Sequence, residues 1–144
     1  MKQTHQNLSD ALIAGRNRRR EQIDLLINRL DLLEGRTKVM MKMHFENGNS
    51  FRQIARLIGV SETSIARRIH RISSRLLDGK YITCLRSRDR LNQNQMSVAK
   101  DYFLRGLSQR MIAERKHWSL YRVGRILREI QGIIAEAEQQ SKRA

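Results

Sequence analysis

The residues with the clearest capacity for chemistry form one short group of arginines and hydroxyl side chains. They are Thr63, Ser64, Arg67, Arg68 and Arg71. Arginine presents a planar fork of N–H donors that matches a phosphate group or the edge of a guanine, and serine and threonine hydroxyls add single hydrogen bonds. These residue types at helical spacing indicate recognition of a nucleic acid.

The charge of the whole chain favours the same kind of partner. The 144 residues include 29 Lys+Arg and 14 Asp+Glu, which gives a formal net charge of +15, and arginine outnumbers lysine 22 to 7. Residues 1–35 are nearly neutral, whereas residues 36–79 have 9 basic and 3 acidic side chains and residues 80–144 have 14 and 6. A basic excess of this size is typical of proteins that bind polyanions. A highly charged, solvated surface is the alternative.

The sequence has no recognisable catalytic or metal-binding constellation. The four histidines lack metal-ligand spacing with the single cysteine, Cys84, and the acidic residues are scattered. We therefore expect no enzymatic activity, no cofactor and no metal. We also expect a cytoplasmic protein, because no apolar run reaches the length of a membrane span and no signal peptide is recognisable.

Two short helices separated by a glycine would position the arginine-rich face. Ser50 and Ser61 are placed as N-caps of the two helices, and Gly59 between them allows the positive φ of a tight turn. An apolar stripe would dock the second helix on the first; it consists of Ile65, Ile69, Ile72 and Leu76. The opposite face fits a DNA major groove, which is the layout of a helix-turn-helix.

The same pattern recurs 58 residues later. The shift pairs identical residues at capping and core positions, namely Gly48 with Gly106, Ser50 with Ser108, Ile54 with Ile112, Ala55 with Ala113 and Ser61 with Ser119. These positions define the motif, so we infer two tandem units. Upstream, apolar residues at helical spacing before Gly35 predict one more helix. We therefore predict an all-α fold, in which an N-terminal helix is followed by two tandem helix-turn-helix units.

The second unit differs from the first at its turn and on its outer face. His117 stands at the position of Gly59, and Glu129 stands at the position of Arg71. Histidine enters positive φ less readily than glycine, so we expect a strained or reshaped turn. Two alternatives stay open for this unit, either DNA binding through its own arginines or a role in packing or dimerisation.

The stretch from Leu57 to Arg71 resembles region 4 of bacterial RNA polymerase sigma-70 factors, and residues 46–55 resemble the first helix of that family's motif. The resemblance implies that the second helix reads a −35 promoter element in the major groove, and that RNA polymerase or a larger DNA-processing complex is a partner. The residues that it places near bases are Glu62, Thr63, Ser64, Arg67 and Arg68. It places Arg52 and Arg71 at phosphates.

The resemblance does not extend to a complete sigma factor. Residues 1–35 contain no aromatic-rich helix of the kind that melts the −10 element. We therefore predict a sequence-specific, double-stranded DNA-binding regulator of transcription, in which Arg122 and Arg125 of the second unit also contact phosphates. One alternative is a DNA-targeting accessory subunit of a recombination or phage packaging machine, for which a homodimer or larger homo-oligomer is expected. An RNA-binding protein is the other alternative, although the chain offers little aromatic surface.

The predicted organisation has four segments. Residues 1–35 form the N-terminal helical segment and residues 36–79 the first helix-turn-helix unit. Residues 80–95 form a basic linker, either an arm along the phosphate backbone or an exposed helix extension. Residues 96–144 form the second unit with its C-terminal helix.

Overall fold

All regular structure that can be described is helical. The structure is a computed structural model that describes the backbone of residues 2–143 and the side chains of residues 9–143. The α-helices are α1 (Lys2–Arg29), α2 (Gly35–Phe45), α3 (Phe51–Ile58), α4 (Glu62–Leu77), α5 (Lys80–Arg86), α6 (Gln93–Ala99), α7 (Gln109–Lys116) and α8 (Leu120–Arg143). Short 3-10 turns lie at Leu30–Leu32 and Arg88–Arg90, and α6 continues into a π-helical turn at Lys100–Leu104. The predicted all-α fold is confirmed.

The first helix-turn-helix is built by the predicted caps. The Ser50 hydroxyl accepts a hydrogen bond from the backbone N–H of Gln53 at 3.2 Å, and the Gln53 side chain accepts one from the N–H of Ser50 at 2.9 Å. Gly59 ends α3 with φ +83°, and the Ser61 hydroxyl caps α4 by accepting from the N–H of Ser64 at 3.1 Å. These local bonds satisfy helix-terminal N–H groups that would otherwise have no partner.

The 58-residue repeat extends over nearly the whole of both units. Helix α7 begins and ends 58 residues after α3, α8 begins 58 residues after α4, and the two 3-10 turns have the same offset. Helix α5 corresponds in this register to the last turns of α1. The core follows the repeat as well, because buried positions pair as Leu26 with Cys84, Met40 with Val98, Ile54 with Ile112, Ile65 with Val123, Ile69 with Leu127, Ile72 with Ile130 and Leu76 with Ile134.

The segment 80–95, which the sequence assigns to a linker, contains helix α5 and the start of α6. Tyr81 and Cys84 of α5 are buried, and α5 packs against α8 as α1 packs against α4. The basic side chains Arg86, Arg88 and Arg90 are exposed on this segment. The domain boundaries themselves stay a prediction.

Helix α1 has two different parts. Leu26, Leu30 and Leu33 are buried against the first unit, and a guanidinium N–H of Arg29 donates to the carbonyls of Leu76 and Leu77 at 2.5 and 3.0 Å, which caps the end of α4. The described side chains before Leu26 are exposed or nearly so. None of the described helices is long and apolar enough to cross a membrane.

Candidate nucleic-acid interface

Helix α4 has one buried face and one exposed face, as the sequence predicts. Its four apolar residues at positions 65, 69, 72 and 76 are each no more than 2% exposed. The opposite side of the helix is a row of exposed polar side chains, which consists of Thr63, Arg67, His70 and Ser74. Their spacing of four, three and four residues keeps them on one helical face. This row of side chains is accessible for contact with another molecule.

Four of the five predicted base-contacting residues are exposed in the first turns of α4. They are Glu62, Thr63, Ser64 and Arg67. The Ser61 and Ser64 hydroxyls form a hydrogen bond of 2.8 Å with each other, which orients both at the start of the helix. Hydroxyl, carboxylate and guanidinium groups are therefore close together at one end of α4.

Arg68 has a different environment from these four. It is half-buried, and its Nη2 donates to the Thr37 hydroxyl of α2 at 3.2 Å. Burial, together with the nearby positive charge of Arg71, lowers the pKa of Arg68 below that of a solvated arginine. In this conformation the guanidinium is directed toward the protein and contributes to the contact between α2 and α4.

Two further arginines of α4 connect the units. Arg71 Nη1 donates to the carbonyl of Gly106 at 3.0 Å. Arg75 Nη1 donates to the carbonyls of Tyr102 and Leu107 at 2.6 and 3.0 Å, and its guanidinium lies 3.5 Å from the centroid of the Tyr102 ring. Sequence reasoning assigned Arg71 to a phosphate and did not identify Arg75. A signal was present, because the repeat places Ile133 where the first unit has Arg75.

The three remaining predicted phosphate contacts are distributed over both units. Arg52 is exposed in the first turn of α3. Arg122, at the start of α8, stacks over Trp118 with its guanidinium carbon 4.0 Å from the ring centroid. Arg125 is exposed one turn further along α8 and lies 3.8 Å from the Glu129 carboxylate. Arg52 and Arg125 therefore remain accessible to solvent, whereas Arg122 is partly held by an aromatic ring.

A cleft that the sequence did not predict lies between the units, beside Arg67 and Arg71. It has a volume of about 290 Å³, and its apolar lining includes Val60 and Met111. Leu57, at the end of α3, is 70% exposed nearby along the chain. The turn of the first helix-turn-helix therefore presents apolar as well as basic surface.

Two buried groups lie away from this surface. Asp101, in the π-helical turn, is fully buried and pairs with Arg105 and with Lys116, whose Nζ is 3.5 Å from the carboxylate. Burial raises the pKa of the Cys84 thiol to about 11. Within residues 9–143 no group of three or more potential metal ligands is close enough to hold an ion.

One comparison with known proteins finds a match, and it lies in the first unit. Residues 23–76 match the family described as sigma-70, region 4. The match begins in the last turns of α1 and ends one residue before the end of α4, so it covers the first unit and none of the second. No curated protein and no solved structure matches the chain. The first unit is therefore similar in sequence to sigma-70 region 4.

Proposed function

We propose that this protein binds double-stranded DNA in a sequence-specific way and regulates transcription, with α4 in the major groove. The observation that carries the proposal is the exposed polar row on α4, within a unit that matches sigma-70 region 4. An α-helix fits the width of a B-DNA major groove, where each base pair presents a distinct pattern of donors and acceptors. We propose a binding protein rather than an enzyme.

Arg67 is the main base-reading residue in this proposal. It is exposed at the centre of the row and has no acidic partner among the described residues. Its guanidinium can bond in a bidentate way to O6 and N7 of guanine. Thr63 and Ser64 add hydroxyl contacts, and the Glu62 carboxylate can accept from the amino group of cytosine. Arg68 contributes least, because it reaches a base only by giving up its hydrogen bond to Thr37.

Phosphate contacts are assigned to exposed or partly exposed arginines on both units. Arg52 and Arg125 have solvent-accessible guanidinium groups. Arg71 and Arg122 are held by protein contacts but retain further N–H donors for a phosphate oxygen. Such contacts fix the register of a protein on DNA without reading its sequence. They would also make the affinity strongly dependent on salt.

The proposed partners are double-stranded DNA and, through the first helix-turn-helix unit, RNA polymerase or a larger DNA-processing complex. The proposed location is the cytoplasm, where such a regulator meets its promoter. A homodimer is a further proposal, and light scattering of the purified protein at working concentration tests it.

Selection from a random pool of double-stranded DNA, with structured RNA as competitor at about physiological salt, tests the function. We expect an enriched DNA motif. Arg67→Ala should then weaken binding to that motif by roughly 1–3 kcal/mol and relax the preference at one base pair. The matched control is Arg143→Ala, which removes the same charge from an exposed position in the last turn of α8. Enrichment of RNA, or tight DNA binding without any motif, would contradict the proposal.

A further inference from the structure

The helix caps and the turn of the second unit repeat those that position α4 in the first unit. The Ser108 hydroxyl accepts from the N–H of Met111 at 3.2 Å, and the Ser119 hydroxyl accepts from the N–H of Arg122 at 3.1 Å. His117 adopts φ +57° at the position of Gly59, so the turn between α7 and α8 keeps the left-handed conformation of the first. Because the buried stripe of α8 also follows the repeat, α8 turns the equivalent face outward.

The outward face of α8 is basic and aromatic. Tyr121, Arg125 and Arg128 stand at the positions of Thr63, Arg67 and His70, and all three are exposed. Tyr121 is 73% exposed, so its ring has no role in the core. Two arginines one turn apart, beside an accessible phenol, can contact base edges, a thymine methyl group and phosphates.

The arginines of α4 that have no counterpart in α8 are those whose side chains contact protein in the first unit. Ile126, Glu129 and Ile133 stand at the positions of Arg68, Arg71 and Arg75. Ile126 is buried, and the Glu129 carboxylate accepts from Gln95 Nε2 at 3.1 Å. Gln95 occupies the repeat position of Thr37, the partner of Arg68. Ile126 and Ile133 therefore change the flank of the helix that packs on the protein. Glu129 also lies 3.8 Å from Arg125, but Arg125 keeps an exposed side chain, so the outward face remains accessible.

A dimer interface is a poorer match to this face of α8. Exposed large apolar side chains on the helix are confined to its first turn, at Leu120 and Tyr121. Further along, the exposed positions carry arginine, glutamate, glutamine and lysine with small residues between them. The interface of a stable homodimer is rich in apolar area, which this face of α8 lacks beyond its first turn.

We propose that α8 is a second DNA-reading helix, in which Tyr121 and Arg128 face base edges beside the phosphate contact of Arg125. The chain then recognises a bipartite site through α4 and α8 with a fixed spacing. The spacing is fixed because the units are joined by the contacts of Arg71 and Arg75 with residues 102–107. The two blocks of the site differ in sequence, since α4 presents Thr63, Arg67 and His70 where α8 presents Tyr121, Arg125 and Arg128. The inference rests on the proposed function, because it takes both helices to bind one DNA molecule.

The test uses the full chain and the double variant Arg125→Ala/Arg128→Ala in the same selection. Wild type should enrich two non-identical blocks, and the double variant should lose one block, with affinity for the full site reduced about 10-fold or more. Arg67→Ala should weaken the other block. The control Lys142→Ala/Arg143→Ala removes the same charge from exposed positions in the last turn of α8 and should retain both blocks. Circular dichroism of each variant checks that the fold is intact.

A change of spacing tests the rigid connection. Inserting about five base pairs between the blocks turns them by roughly half a helical turn and should reduce affinity to that of one block. Unchanged affinity would overturn the fixed spacing. A single block that depends on Arg67 and is indifferent to Arg125 and Arg128 would overturn the second reading helix while leaving the proposed function in place. Two identical inverted blocks bound by a dimer would overturn it as well, and loss of every motif would remove the proposed function itself.

Discussion

Gly106 and Ile72 are in such close contact that no side chain fits between them. A Cβ at position 106 would overlap Cγ1 of Ile72 and lie 3.2 Å from its Cδ1. Gly106 also has φ +65°, and its carbonyl accepts the hydrogen bond from Arg71. The turn before α7 is thereby fitted against the core-facing side of α4, which couples the two helix-turn-helix units.

Gly106→Ala should destabilise the protein more than the same change at Gly48. Both glycines have positive φ, at +65° and +72°, so both variants incur a left-handed backbone cost of about 1–2 kcal/mol. A Cβ at Gly48 would enter open space, whereas the overlap with Ile72 adds roughly 1–3 kcal/mol at Gly106. Urea unfolding of both variants measures the difference. Equal losses would mean that Ile72 shifts to accommodate the added Cβ at little cost, and that this contact does not couple the units.

Asp101→Asn should cost about 3 kcal/mol of stability. The fully buried carboxylate pairs with Arg105 and Lys116, and an amide would leave two cations without a counter-charge. Asp89→Asn is the matched control, because Asp89 is exposed and a surface change of this kind stays within about 0.5 kcal/mol. Thermal or urea unfolding of the two variants gives the comparison. A loss at Asp101 as small as that at Asp89 would show that the buried pairs contribute little.

Features that depend on neighbouring residues were predictable from the sequence. The Ser50 cap, the Gly59 turn and the apolar stripe of α4 each involve residues within a few positions of one another. Local hydrogen bonds and helical periodicity determine these features, so residue type and spacing are enough to locate them. The exposed row on α4, and with it Arg67, follows directly from the position of the stripe.

Contacts between distant parts of the chain were not predictable in the same way. Arg71 and Arg75 have side chains that suit a phosphate or a backbone carbonyl equally well, and their actual partners lie 27 to 35 residues away. Helix α5 was missed for another reason. Its repeat partner, the end of α1, shares apolar character and not residue identity, as Leu26 and Cys84 illustrate. Comparing apolar positions at the 58-residue offset, rather than identities, would have found it.

Neutralising Arg71 should affect DNA binding on all sequences about equally. Its predicted phosphate contact carries no sequence information, so Arg71→Gln should leave the selected motif unchanged and flatten the dependence of log affinity on log salt by about one unit. Binding isotherms at several salt concentrations measure that slope. A change in the preferred bases would instead assign Arg71 to base reading. An unchanged slope would mean that Arg71 contacts no phosphate and that its role is the hydrogen bond to Gly106.

The residues that end α3 and α7, Gly59 and His117, can each be replaced by the other. His117 holds φ +57° at the end of α7, so His117→Gly removes a backbone cost of about 1–2 kcal/mol and adds about 1 kcal/mol of unfolded-state entropy. We expect a net gain of about 0.5 kcal/mol. Gly59→His should lose a similar amount, because Gly59 has φ +83° and a Cβ there would meet no neighbouring atom. Thermal unfolding of both variants tests the pair, and a loss for His117→Gly would mean that the imidazole itself stabilises the turn.

The stability of the protein should fall as the pH rises from about 9 to about 11. Burial raises the pKa of the Cys84 thiol from 9.0 to about 11, so in this window the folded protein keeps a proton that the unfolded chain releases. Because the unfolded chain then binds fewer protons than the folded protein, unfolding becomes more favourable as the pH rises. The stability linked to the protonated Cys84 thiol is therefore fully present only below about pH 9. Its size is about 3 kcal/mol.

Tyr81 adds to this loss, since burial also raises its pKa. Cys84→Ala separates the two contributions, because alanine does not titrate at any pH. The variant will be less stable at neutral pH through the lost packing of a buried side chain, yet its unfolding free energy should decline less steeply between pH 9 and pH 11. Urea unfolding of both proteins at intervals across that range measures the two slopes. Parallel slopes would mean that the thiol titrates alike in the folded and unfolded chain, and the alkaline loss would then belong to Tyr81 and the remaining groups.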